Sequence, residues 1–387
     1  QNKLSKKNLL FEIHSSGKPY IIYKSKKGFD LYTNFSKKII LNNKNIGNFF
    51  NKKHKRKSRN TDLYIGFCGY EILNNLINVK IPKQKNFNFP KGIFYKPEKK
   101  ISLSNNLKYN NKDKHKRSIF KININKNFYT KIFNKFKEKI KGGETYQIKI
   151  CTKYKTKSKI DPLNFFSRLS KTNLAPEAFM IKDKNYSVIS CSPENLITKK
   201  GVNIFTKPIA GTVKKTKSLN KIKALKYFRK NIKETKEHNM IVDMERNDLS
   251  RICKPGSVRL SKQKTVEEYK DLFHYVSLIK GKLKKNIKNI DIIKAMMPGG
   301  SVIGCPKIST LKLLNKQEKE NRNIYTGSFG YIKFNGDMRF NIIIRSILNF
   351  KNISEISVAS GVVVDSNAKH EFNENYIKAK ALIDLFK

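Results

Sequence analysis

Glu371, Glu374 and Lys378 are spaced i, i+3 and i+7, which puts all three on one face of a helix. Two carboxylates so placed, just after the small apolar run VASGVVVDS, offer the oxygen ligands that Mg²⁺ prefers. Glu374 and Lys378, four apart, equally form an ordinary surface ion pair. Arg345 falls in the apolar run NIIIRSI, read as a strand. A guanidinium there needs an anion, supplied either by an acid of the protein or by a substrate carboxylate. His274, in DLFHYVSLI, sits on an apolar face, as a core histidine with satisfied nitrogens or as a catalyst. In PGGSVIGCPK (298–307) glycines feed a helix start, where free backbone N–H groups form an anion cradle. Cys-Pro follows where a phosphate loop needs Lys-Ser/Thr, and no G-x-G-x-x-G occurs. The segment is therefore a site for something smaller, such as a carboxylate, or a plain loop.

The elements that must position these groups read as α+β. Residues 1–50 alternate short apolar runs with Lys/Asn turns and read as strands. YTKIFNKFKEKIKGGETYQIKICTKY is a helix stopped at Gly142-Gly143 and followed by a strand. KIKALKYFRKNIKETKEHNMIVDMERNDLSRI is one long helical pattern, and AKHEFNENYIKAKALIDLFK is a closing helix. Strand runs separated by helices, with hairpins, favour α+β over a strict βαβ repeat. The polar stretch 102–118 reads as a linker, which divides the chain into 1–117 and 118–387.

The net charge is +54, which by itself suggests nucleic acid or an anionic surface. Yet the cations are mostly Lys, spread from end to end and interleaved with Asn and Ile. These three residues share AT-rich codons, so genome bias accounts for the charge without a nucleic-acid partner. The densest run, NKKHKRKSRN (51–60), has no aromatics to stack bases and reads as a solvated loop. The cysteines, at 68, 151, 191, 253 and 305, form no C-x-x-C, and no H-x-x-x-H occurs. That predicts free thiols in a reducing compartment and no zinc site. No run approaches a membrane span or a signal peptide, so the expectation is a cytoplasmic protein with no membrane partner.

Ten segments in order carry a resemblance: GGETYQIKI, SCSPENL, PIAGT, EHNMIVDMERNDLSRI, HYVS, PGGSVIGCPK, YTGSFGYI, IRS, ASGVVVDS and HEFNENYIKAKA. Together they are similar to the chorismate-utilising enzymes, which include the large subunits of anthranilate synthase and of aminodeoxychorismate synthase. The resemblance is strong over 118–387 and weaker before it. It implies two β-sheets packed as a sandwich with helices outside, and a Mg²⁺-dependent chorismate site. It implies that Glu237, Glu371 and Glu374 are the Mg²⁺ ligands. It also implies that Arg345 and Tyr325 hold a substrate carboxylate, that Gly211, Thr212, Ser301, Ser360 and Gly361 complete the pocket, and that Lys378 lies near the metal-bound carboxylate. His274 resembles the catalytic histidine, and Glu194 the acid that helps the C4 hydroxyl leave. As that acid, Glu194 must hold a proton near neutral pH.

Gln147 stands where the isochorismate- and salicylate-forming relatives carry a water-activating lysine. An amide cannot act as a base, so ammonia is the implied nucleophile. Ser301, YTGSFGYI and DMRFNIIIRS resemble the enzymes that aminate C4 to give 4-amino-4-deoxychorismate for 4-aminobenzoate and folate. The alternative is anthranilate synthase, which aminates C2 and eliminates pyruvate. One branch of the C4-aminating enzymes has a covalent lysine where this chain has Ala210. Pro208 to Thr212 then reads as a tight pocket wall, with a plain β-turn as the alternative. No Cys-His-Glu glutaminase pattern appears, so the resemblance implies a separate glutamine amidotransferase subunit that supplies ammonia.

Overall fold

The structure, a computed structural model, describes residues 6–54, 59–77, 88–105, 118–173, 175–268 and 272–387, with positions 79, 107 and 109. Eighteen strands among the described residues join one sheet. Its backbone runs through Gln147–Lys157, Ile353–Val362, Ser346–Phe350, Tyr186–Ser192, Glu177–Lys182, Tyr20–Lys24, Phe29–Ile40 and Gly92–Leu103. It continues through Leu63–Cys68, Ser328–Lys333, Met338–Asn341, Asn195–Lys200, Asn203–Lys207 and Leu272–Lys282, every pairing antiparallel. The strands before residue 117 thus lie in the middle of the sheet, between strands from later in the chain.

The sheet curls until its halves face each other. Phe179 from one half stacks on Phe329 from the other, ring centroids 3.8 Å apart, within a core that includes Ile21, Phe67 and Ile343. Where two separate sheets were expected, the hydrogen bonding is continuous. Each turn of the curl is built from Ile-, Tyr- and Phe-rich strands whose alternate residues enter this core.

Helices cover the outer faces. Lys126–Lys141 is capped by Asn125, whose side chain accepts from the Phe128 N–H, and it buries Tyr129, Ile132, Phe133, Phe136 and Ile140 along one stripe. It stops at Gly142, as its sequence predicts, with Gly143 at φ +75°. The long helical pattern is two helices, Lys221–Lys230 and Ile232–Ile252, broken at Asn231. Residues 1–50 are not all strand: Lys6–Ser15 and Ile46–Asn51 are helices. The expected linker opens inside strand Gly92–Leu103, and its 106, 108 and 110–117 lie outside the described residues, as do 55–58 of the basic run. All five cysteines are unpaired thiols. Among the described residues no helix is long and apolar enough to cross a membrane.

Candidate active site

The closing helix, Ala368–Ile383, starts at Asn367, whose side chain accepts from the Lys369 and His370 N–H groups. One face carries Glu371, Glu374 and Lys378, as their spacing predicts, running from buried Glu371 to Lys378, whose side chain is 43% exposed. Lys378 Nζ lies 2.6 Å from Glu374 Oε1 and donates to the Ala359 carbonyl at 3.0 Å. The ligand atoms of His370, Glu371 and Glu374 lie within 4.8 Å of one another, close enough to share a metal ion. Glu371 is buried, and two of the three donors are carboxylates, the chemistry a hard divalent cation requires.

Strand Gln147–Lys157 pairs with Ile353–Val362, Lys149 opposite Gly361. Strand alternation puts Gln147 and Lys149 on the same face. A Cβ at Gly361 would sit 2.8 Å from both Gln147 Nε2 and Lys149 Nζ, so glycine leaves the space these two side chains fill. Both donate to the same oxygen, Glu237 Oε1, at 3.0 and 2.9 Å. The Lys149 ammonium outweighs burial and holds the Glu237 carboxyl down at about 2. Burial acts to discharge Lys149, but Glu237, and with it Glu374 and Glu371, keep its pKa above the usual lysine value. Of the three expected metal ligands, Glu237 pairs directly with this ammonium, while Glu371 and Glu374 act on it only through their charge; the cluster close enough to share an ion is His370, Glu371 and Glu374, without Glu237. Next to Glu237, His238 is fully buried, with Nε2 2.6 Å from Ser277 Oγ, which ties this helix to strand Leu272–Lys282.

Glu194 occupies the break between strands Tyr186–Ser192 and Asn195–Lys200. Its N–H donates to Ser192 Oγ at 3.3 Å, and its carbonyl accepts from the Ile342 N–H at 3.0 Å. Burial pushes its carboxyl up to about 7, against the opposing pull of the Ser301 hydroxyl, Lys149, the Ile209 N–H and Arg345. Ser301 lies in the four-residue helix Gly300–Ile303. A Cβ at Gly300 would come within 1.9 Å of Met244 Cε, so this glycine serves close packing against the long helix. The glycine run enters a single helical turn and buries Ser301 on the Glu194 side, its hydroxyl making no hydrogen bond among the described residues.

Arg345 is not in a strand. It stands at a bend between Met338–Asn341 and Ser346–Phe350 with φ +50°, and its carbonyl accepts from the Cys191 N–H at 3.2 Å. This left-handed conformation disfavours any residue with a Cβ. Among the described residues no carboxylate lies within ion-pair distance of its guanidinium. Burial draws its pKa below the usual arginine value, and Cys191 and Glu194 act in the other direction.

The segment PIAGT is a strand with a bulge and not a β-turn. Ile209–Lys214 pairs with Leu272–Lys282, and the register slips between Ile209 and Gly211. The slip falls at Ala210, whose side chain lies outside the described residues. Beyond it Gly211 stands opposite Tyr275 and Thr212 opposite His274. Thr212 Oγ1 lies 2.8 Å from His274 Nδ1. Burial, and then the Arg345 charge, lower the His274 pKa to about 4. Tyr325 is buried against Cys151 and Ala359, and the Ser360 hydroxyl lies 2.7 Å from Tyr129 Oη.

Three groups escaped the sequence reading. Lys149 is one; its i, i+2 spacing from Gln147 on a strand was the available signal. Glu245 is another: it is buried, accepts from Thr206 Oγ1 at 3.2 Å, and burial followed by the Asp248 charge raise its pKa to about 8. The third is the buried Lys307–Asp248 ion pair, whose ammonium also donates to the Ala295 carbonyl at 3.1 Å. A cavity of about 910 Å³, lined by Tyr23, Lys100, Tyr331 and Arg339 among others, includes none of the candidate site residues. Chemistry, not cavity volume, locates the site.

The family described as chorismate binding enzyme matches residues 15–384. A Bacillus subtilis protein named aminodeoxychorismate synthase component 1 is 35% identical over 255 residues, 66% of this chain and 54% of that protein. A Synechocystis protein named anthranilate synthase component I-like is 31% identical over 347 residues, 83% of this chain and 72% of that protein. Most of the curated relatives are matched over about half their length. Anthranilate synthase component I from Streptococcus pneumoniae superposes with a TM-score of 0.76 at 24% identity, covering 95% of this chain and 92% of that one. The menaquinone-specific isochorismate synthase of Escherichia coli gives 0.78 at 14%, covering 100% and 92%. At these identities the two structures speak for the fold.

Proposed function

The chain belongs to the chorismate binding enzymes, and from that premise we propose that it is the synthase component of an aminodeoxychorismate synthase. It would aminate chorismate at C4 with ammonia, giving 4-amino-4-deoxychorismate for 4-aminobenzoate and folate. The observation that carries amination of chorismate is Glu194, a buried acid whose carboxyl is pushed up to about 7. Such a group keeps its proton near neutral pH and passes it to the C4 hydroxyl, which leaves as water whether ammonia enters at C4 or at C2. The choice of C4 rests on the similarity to the relative named aminodeoxychorismate synthase component 1.

The other residues have complementary roles. Arg345, with no protein carboxylate within ion-pair distance among the described residues, would take a substrate carboxylate, aided by Tyr325. Gln147 is an amide already committed to Glu237, and it has no proton-accepting base to offer water. Ammonia needs no such base to attack; it adds to carbon and sheds a proton afterwards. Glu237, Glu371 and Glu374 would hold Mg²⁺, with Lys378 beside Glu374. When bound, Mg²⁺ supplies positive charge for the second substrate carboxylate. His274, uncharged at neutral pH, and Thr212 form the wall beside Gly211, while Ser301, Ser360 and Gly361 complete the pocket. Ammonia would come from a separate glutamine amidotransferase subunit.

The relative named aminodeoxychorismate synthase component 1 supports amination at C4. Relatives named anthranilate synthase component 1, 36% identical in Arthrobacter globiformis, favour the alternative, amination at C2 with loss of pyruvate. The test is a product assay on the purified chain with chorismate, Mg²⁺ and excess ammonium salt at mildly alkaline pH. Loss of chorismate with 4-aminobenzoate and pyruvate appearing only after the downstream lyase is added is the expected result. Anthranilate with equimolar pyruvate would overturn it.

A further inference from the structure

Lys149 is a largely buried cation, bonded to Glu237, that no part of the proposed chemistry uses. Its side chain is 11% exposed, and its Nζ lies 2.9 Å from Glu237 Oε1. Gln147 donates to that same oxygen at 3.0 Å, so both donors fall on one side of the carboxylate. Among the described residues no donor reaches Oε2. Glu237 is thus held by Oε1 and presents Oε2. The charges can be counted. Glu237, Glu371 and Glu374 contribute three negative charges, and Lys149 and Lys378, paired with Glu237 and Glu374, contribute two positive ones. A divalent ion enters a site that already carries most of its counter-charge.

We propose that Lys149 is a built-in counter-cation of the metal site: its ammonium holds Glu237 in place without metal and competes with the incoming divalent ion for the same carboxylate. This rests on reading Glu237, Glu371 and Glu374 as metal ligands. The physical ground is Coulombic. A fixed positive charge bonded to a ligand lowers that ligand's attraction for a second cation, and the effect is large where water is excluded. The geometry adds selectivity. With Oε1 occupied, Glu237 ligates through one oxygen only, which suits a small octahedral ion better than one that takes bidentate carboxylates.

The test is Mn²⁺ binding to the full chain, read by electron paramagnetic resonance of free Mn²⁺, without substrate. Lys149→Met, which keeps an unbranched side chain one atom shorter and removes its charge, should bind Mn²⁺ at least about tenfold more tightly than the natural chain. Lys149→Arg, which keeps the charge, should stay weak, and this comparison separates charge from packing. Circular dichroism melting establishes that each variant is folded. Equal affinity in the natural chain and Lys149→Met, with Glu374→Gln abolishing binding in both, would overturn the role of Lys149 and leave the metal reading standing. Absence of saturable Mn²⁺ binding in all folded variants would overturn the metal reading and this inference with it.

Discussion

Thr212 and His274 stand opposite each other on paired antiparallel strands, and their side chains meet at 2.8 Å between Oγ1 and Nδ1. Burial and the Arg345 charge bring the His274 pKa to about 4, so the ring is neutral at working pH. In a nuclear magnetic resonance titration the His274 ring protons should shift with a midpoint near 4; a midpoint in the ordinary histidine range contradicts the assignment. The stability consequence has a definite sign. A depressed pKa means that the unfolded chain takes up a proton the folded chain refuses. Stability should therefore fall as pH drops from about 6.5 towards about 4. Thr212→Val leaves a buried ring nitrogen without this partner and should cost about 1–3 kcal/mol in denaturant unfolding.

Glu194 should act as the proton donor of the reaction. Its carboxyl, raised to about 7 by burial, ionises as pH rises through that value. With free ammonia held constant, kcat/KM for chorismate should fall on the alkaline side with an apparent pKa near 7. Glu194→Gln should lower kcat by at least about 100-fold, and its residual rate should lack that alkaline limb. Full activity in Glu194→Gln removes the residue from the mechanism.

How much of this was legible depends on whether a feature is local. The helix Lys126–Lys141 shows its apolar stripe and its terminal glycines in the sequence, and the Glu371, Glu374, Lys378 face follows from helical spacing alone. The single curled sheet does not, because the block of early strands is joined to the rest by distant partners: Tyr20–Lys24 pairs with Glu177–Lys182 and Leu63–Cys68 with Ser328–Lys333, each more than a hundred residues away. Arg345 read as strand because its neighbours are apolar; the left-handed bend that aims it is a property of the sheet crossing at that point. Lys149 was hidden by composition. In a chain with 83 Lys and Arg residues, one more lysine in an apolar strand carries no signal until its partner is seen. Glu245 lay inside a quoted motif, but helical spacing does not report which face is sealed from water.

Arg345 separates binding from folding. Its guanidinium should meet a substrate carboxylate in two parallel hydrogen bonds, which lysine cannot reproduce. Arg345→Lys should raise KM for chorismate at least about tenfold. Arg345→Gly relieves the left-handed strain at φ +50° and removes a buried charge, so it should lose substrate affinity yet melt no lower than the natural chain. If Arg345→Gly is strongly destabilised, the side chain holds the fold together and the substrate role fails.

Glu245 should make the protein less stable as pH rises. Burial, and then Asp248, raise its pKa from 4.5 to about 8 in the folded state. The folded chain then binds this proton more tightly than the unfolded one. The stabilisation is complete below about 4.5 and is lost progressively as pH climbs through about 8; Glu194 contributes with the same sign up to about 7. Glu245→Gln keeps an acceptor for Thr206 Oγ1 and carries no charge. It should flatten the decline of melting temperature between those limits and stabilise the chain by roughly 1–3 kcal/mol at the alkaline end. An unchanged slope in Glu245→Gln would mean that Glu245 is already ionised and paired when folded, and that the buried Lys307 ammonium, not a retained proton, balances its charge.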